Sequence, residues 1–164
     1  TVRDVIRGTD LAAGTFYNYF KSKEEVFEAL ADDGAARFKP ILRHVRETAT
    51  SFEDYISRAV HEYFRFLVSD RAKRGLPAAN RGPHVRADTP ETLAVYDEVR
   101  EGVRDAIARG LAPKVDADYL ASACIGISQE IAQAMLHREP PDIEGAARFA
   151  ATFILKGLEG APRA

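Results

Sequence analysis

The residue types that usually carry catalysis are present in this chain, but never in company. His44, His61, His84 and His137 are scattered, without the spacing that lets two imidazoles meet one metal ion. His61-Glu62 has no second histidine four residues on. Ser57, Ser69, Ser122 and Ser128 stand in no nucleophile-elbow sequence, and no glycine-rich loop is placed to cradle phosphate. Cys124 is the one cysteine, which excludes an intrachain disulfide and a cysteine zinc site. Between Leu120, Ile127 and Ile131 it reads as a small core residue. No catalytic constellation, metal site or cofactor is expected. A different chemistry stands at Thr15-Phe16-Tyr17-Asn18-Tyr19-Phe20. Phe16 and Phe20 fall one helical turn apart and face inward, which turns Ala13, Gly14, Thr15, Tyr17, Asn18 and Tyr19 outward. Hydroxyl, amide and phenol groups in a row are recognition chemistry. The plain alternative is a buried aromatic helix.

These residues need elements to hold them. Thr1 caps a short helix with Val2, Val5 and Ile6 at helical spacing, and Gly8-Thr9-Asp10 breaks it. A second short helix runs from about Ala12 to Phe20. Ser22 with Glu25 three residues on forms a capping box for a third, which carries Val26, Phe27 and Leu30 and runs on through Phe38, Ile41, Leu42 and Val45. Pro40 lies inside that run and predicts a kink. Short helix, tight turn, second short helix is the helix-turn-helix plan, whose second helix lies in the DNA major groove.

Thr1-Val2-Arg3-Asp4-Val5-Ile6-Arg7, followed by Gly14-Thr15-Phe16-Tyr17-Asn18-Tyr19-Phe20-Lys21-Ser22-Lys23-Glu24-Glu25-Val26-Phe27, resembles the head of the tetracycline-repressor (TetR) family of transcriptional regulators. The resemblance implies backbone-contacting roles for Thr1, Thr15, Tyr17, Tyr19 and Lys23, and base-reading positions at Arg3, Ala13 and Asn18. Asn18 suits an adenine edge and Arg3 a guanine. Gly14 and Ala13 have little bulk, so the helix start can approach a duplex closely, where its free amides suit phosphate. Asp10 stands where the family turn usually has Gly. Ala12 replaces the usual Ser or Thr cap, at a cost of about 1 kcal/mol. The family's first helix is absent, which points to a chain lacking its true start.

The rest of the 164 residues reads as helix. Phe52, Ile56, Ala59, Val60, Tyr63, Phe64 and Leu67 make one wide apolar stripe. From Arg71 to Asp88 the periodicity is lost to Gly75, Pro77, Gly82 and Pro83, a loop with room for one short helix. Thr89-Pro90 opens a helix carrying Leu93, Tyr96, Val99, Val103 and Ile107. Asp116 caps one carrying Leu120, Cys124, Ile127, Ile131 and Met135, and Asp142 caps a last with Ile143, Ala147, Ala150, Ile154 and Leu158. The reading is all-α, about eight helices: a helix-turn-helix head over residues 1–38 and a helical effector-binding, dimerising body over 39–164. With 46% apolar and 29% charged residues the balance is that of a soluble globular protein. No stretch approaches the roughly 20 apolar residues that span a bilayer, so no membrane partner is expected and a reducing cytoplasm is the natural setting. A net charge of −2 argues against wholesale polyanion binding but not against a local DNA contact.

By resemblance, the partners are an operator duplex, a small-molecule effector and a second copy of the chain. Phe38, Leu42, Phe52, Ile56, Tyr63 and Phe64, with Leu67, Tyr96, Val99, Val103 and Ile127, converge from several helices as lining for a cavity. Ser128, Gln129 and Asn80 are its few polar groups. That composition favours a neutral or weakly polar effector, aromatic ones included. Small residues between the apolar ones in the last two helices suggest a four-helix dimer interface through Leu120, Cys124, Ile127, Ile131, Ile143, Ala147, Ala150 and Ile154. Packing within one protomer is the alternative there. For the whole chain, the rival is a helical ligand-binding or adaptor protein of the same shape that does not read DNA.

Overall fold

The computed structural model describes residues 13–74 and 88–163. Among them are six helices and no strand: α1 (Ala13–Tyr19), α2 (Lys23–Thr48), α3 (Phe52–Lys73), α4 (Pro90–Ala108), α5 (Ala117–Leu136) and α6 (Ile143–Glu159). Expectations for Thr1, Arg3, the first short helix, Asp10, Ala12, Asn80 and the glycines and prolines of 75–87 lie outside the described residues. So do the side chains of Ala13, Gly14 and Phe16.

From α2 onward, each helix start is fixed by a side chain that satisfies backbone N–H groups otherwise left without partners. Ser22 accepts from the Glu25 N–H at 3.1 Å, and the Glu25 carboxylate reaches back to the Lys21 N–H at 2.7 Å. Ser51 caps α3 through the Asp54 N–H at 3.0 Å. Thr89, with Pro90 behind it, caps α4. Asp116 accepts from Asp118 and Tyr119, both at 2.9 Å, and Asp142 accepts from Gly145 at 2.8 Å. The end of α4 is also local in origin. Gly110 adopts φ +72, and Leu111 N–H returns to the Ala106 carbonyl at 2.9 Å while Gly110 N–H returns to Ile107 at 3.0 Å. That pair of bonds is a Schellman closure, which needs a left-handed residue and therefore favours glycine.

α2 continues unbroken through Pro40. Pro40 and Ala36, whose carbonyl loses its partner there, are both exposed, so water can satisfy the carbonyl and the ring meets solvent. The same helix crosses the expected boundary at 38/39 without interruption. α3 runs six residues past Leu67, to Lys73, where a loop was expected from Arg71. The Asp70–Arg74 pair at i,i+4 and the cations Arg71 and Lys73 in the last turn support that extension.

The apolar stripes assemble one core. α2 packs on α4 and α3, α3 on α6, and α5 fills between α4 and α6. Phe64 and Val103 are wholly buried at its centre, with Leu42, Val45, Ile56, Ala121, Ala132, Met135 and Ala150 around them. Burying a side chain such as Phe64 contributes about 2–3 kcal/mol.

Candidate functional site

α1 presents its polar row to solvent. Tyr17 is 55% and Tyr19 76% exposed, Asn18 is exposed between them, and Thr15 is half-buried. Phe20 is half-buried, and Lys23 projects from the first turn of α2. The capping box at Lys21, Ser22 and Glu25 fixes the start of α2, three residues after α1 ends.

From Leu30 on, α2 lines a cavity of about 310 Å³. One wall is α2 (Leu30, Ala31, Gly34, Ala35, Phe38, Leu42) and the next is α3 from Tyr55 to Asp70. Thr92, Val95, Tyr96 and Val99 of α4, Cys124, Ile125, Ser128 and Gln129 of α5, and Ile154 of α6 complete it. Phe38 stacks at a tilt on Tyr63 and Phe66, with centroids 5.3 and 5.4 Å away. Gln129 Nε2 donates to the Tyr96 hydroxyl at 2.7 Å. Burial raises the phenol pKa values of Tyr55 and Tyr63 above the ordinary range and pushes the Cys124 thiol up to about 12. All three are therefore neutral, so none of them puts a charge into the cavity.

Ionic contacts hold α2 at either end of this space. Near the head, Arg37 and Arg74 each bridge the same two carboxylates. Arg37 Nη2 meets Asp33 at 2.8 Å and Asp70 at 2.5 Å; Arg74 meets Asp33 at 2.7 Å and Asp70 at 2.9 Å. This closed quartet clasps α2 to the end of α3. At the far end, Glu98 of α4 is only 3% exposed. It sits between Arg43 at 3.3 Å and Arg46, whose Nε lies 2.9 Å from its Oε1 in an ion pair without a straight hydrogen bond.

Nine of the residues expected to line a cavity do so: Phe38, Leu42, Ile56, Tyr63, Leu67, Tyr96, Val99, Ser128 and Gln129. Phe52, Phe64 and Val103 do not; they are buried in the core because their helical phase points them at neighbouring helices. Ile127 packs on the core beside them. Of the residues expected at a dimer interface, Leu120, Cys124, Ala147, Ala150 and Ile154 are buried inside the protomer, and Ile127, Ile131 and Ile143 pack against that core while staying partly exposed. Cys124 and Ile154 line the cavity.

What α5 and α6 leave in water lies on their other faces: Tyr119, Ser122, Ala123 and Gly126 on α5, and Phe149, Thr152, Phe153 and Gly157 on α6. Phe149 and Phe153 stack at 6.1 Å although both are more than half exposed. Their i,i+4 spacing, off the Ala147–Ala150–Ile154 stripe, is the signal in the sequence that marks this face. The small run Ala31-Gly34-Ala35 is the corresponding signal for the cavity.

Among the described residues there is no cluster of His, Cys, Asp and Glu that could hold a metal ion, and no helix long and apolar enough to cross a membrane. Among the described residues the arrangement is all-helical, with the short α1 at one end and α2 to α6 behind it. Residues 1–30 match the model of the bacterial regulatory proteins of the tetR family, a match over the first 30 of the 164 residues. A solved structure of a protein of unknown function from Rhodococcus sp. RHA1 is similar over 96% of this chain and 84% of that one, with a TM-score of 0.63 and 18% identity. That likeness is one of fold. No curated protein matches the chain significantly.

Proposed function

We propose that the chain is a ligand-responsive repressor that binds a pseudo-palindromic operator as a homodimer in the cytoplasm, and not an enzyme. One observation carries this reading. The exposed Tyr17-Asn18-Tyr19 row is joined by a capped turn to α2, and α2 is itself a wall of the cavity. Head over 1–38 and body over 39–164 then differ in task, while one helix serves both. An effector that binds more tightly when α2 stands slightly away from α3 shifts the head's angle, and DNA affinity falls by the ratio of its affinities for the two states.

Within this reading Asn18 reads a base edge, Arg3 and Ala13 lie at other base-reading positions, and Thr1, Thr15, Tyr17, Tyr19 and Lys23 hold the phosphate backbone. The second copy seats on the outer faces of α5 and α6. Paired exposed phenylalanines beside small residues, including Gly126 and Gly157 with open space where a Cβ would stand, fit close helix approach. Two recognition helices then lie on the order of 34 Å apart, one turn of DNA, or a multiple of it.

The test is binding of the full chain to a duplex selected from random sequence, followed by fluorescence anisotropy across a salt series. Tyr17→Ala is expected to weaken every duplex alike. Asn18→Ala is expected to relax preference at one base position by about 1–3 kcal/mol. Two variants that both bind like the parent contradict the assignment. A chain that is not retained by heparin at low salt favours a non-DNA-binding protein of the same shape.

A further inference from the structure

The shape of the cavity narrows its ligand, an argument that rests on the effector reading above. The lining stripe of α2 spans Leu30 to Leu42, and that of α3 spans Tyr55 to Asp70. At 1.5 Å per residue the first is about 18 Å long and the second about 22 Å. The volume of about 310 Å³ is at the bottom of the range of roughly 300–1,000 Å³ common for ligand sites. A space so long and so small in volume is slender.

Small residues make room for it: Ala31, Gly34 and Ala35 on α2 and Ala59 on α3 are part of the lining. A Cβ built on Gly34 would meet nothing nearer than Arg74 at 4.0 Å. The half-exposed Leu30 puts one end of the channel at the surface.

Charge is absent from the lining in net terms. Asp70 is its one ionisable carboxylate, and both its oxygens are held by Arg37 and Arg74 in a quartet of two cations and two anions. The remaining hydrogen-bonding groups are neutral: the Tyr55 and Tyr63 phenols on α3, and Thr92, Tyr96, Ser128 and Gln129 on the α4–α5 wall, where Gln129 donates to the Tyr96 hydroxyl.

We infer that the cavity binds a slender, uncharged, mainly aliphatic molecule lying along α2, with one neutral hydroxyl or carbonyl group against Ser128 and Gln129. A space about 18 Å long that holds only about 310 Å³ leaves little breadth for flat fused rings, which an aromatic lining suggests at first.

The experiment titrates the full chain calorimetrically with straight-chain primary alcohols from hexanol to dodecanol, and with naphthalene and naphthol as ring compounds. Affinity is expected to rise roughly fourfold per methylene until the channel is full, and the rings are expected to bind more weakly than decanol. Gly34→Leu fills the open end from a half-exposed position, so the fold should survive, as circular dichroism can check. It should lower dodecanol affinity at least about tenfold while leaving hexanol within about twofold. Ser128→Ala should weaken all the alcohols by one common factor. No binding by any alcohol, affinity independent of chain length, tighter binding of the rings, or equal loss of hexanol and dodecanol in Gly34→Leu each overturns the inference. DNA release is read separately. Alcohols that bind with the expected length dependence but leave DNA binding unchanged support the ligand class and refute the effector role. Release driven by rings alone keeps the effector role and refutes the ligand class.

Discussion

Gly102 is buried in α4 where a Cβ would stand 2.5 Å from the Tyr55 hydroxyl oxygen and 2.8 Å from its Cζ, with Arg46 Cδ at 3.3 Å. In an ordinary helix interior, Gly→Ala gains about 1 kcal/mol. Here the ring is rigid and 5% exposed, so the methyl must displace it. Gly102→Ala is therefore expected to lose about 1–3 kcal/mol in urea unfolding, and Tyr55→Leu in the same chain should recover part of that. A stabilised Gly102→Ala would mean that Tyr55 is free to move. Cys124 offers a second test at this scale. With its thiol pushed up to about 12, from 9.0, by burial, the reactive thiolate at neutral pH falls on the order of a thousandfold. Ellman's reagent should label Cys124 only as fast as the protein unfolds. Rapid labelling of the native protein would show the α5 wall open to water.

The helices themselves were largely legible in the sequence, for a physical reason. Caps such as Ser22, Thr89, Asp116 and Asp142 act within three residues of themselves, so the signal and its effect are adjacent in the chain. Cavity and clasp are different. Asp33–Arg37 and Asp70–Arg74 each read as an ordinary i,i+4 surface pair, and only the packing of α2 on α3 crosses them into a quartet. Phase also decided which apolar residues line the cavity and which fill the core: Phe64 and Tyr63 are neighbours on one stripe, yet only Tyr63 reaches the space. The ionic link between α2 and α4 gives this scale its prediction. Arg46 is the better covered partner of buried Glu98, and Arg43 is half in solvent. Arg46→Met, which leaves the carboxylate poorly paired, is expected to cost about 2–3 kcal/mol. Arg43→Met should cost under about 1 kcal/mol. Equal costs would show that Glu98 is paired by water.

At the scale of the whole molecule, burial separates assembly from folding. Phe153 is 58% exposed and Ile154, its neighbour, 4%. Phe153→Glu is expected to give a folded monomer by light scattering with unchanged helical circular dichroism. Ile154→Asp should unfold the chain, since an unpaired charge inside a core costs several kcal/mol. A dimer unaffected by Phe153→Glu would move the second copy to another face. A dimer also sets how DNA is read, because two heads on a symmetry axis demand two half-sites in inverted order. The most direct measurement is therefore selection of duplexes from random sequence by the full chain, followed by the salt dependence of binding to the enriched site. The account predicts an inverted repeat whose half-sites lie one helical turn of DNA or a multiple apart, with affinity falling steeply as salt rises. No enriched sequence at any salt concentration, or a site without inverted symmetry, would contradict it.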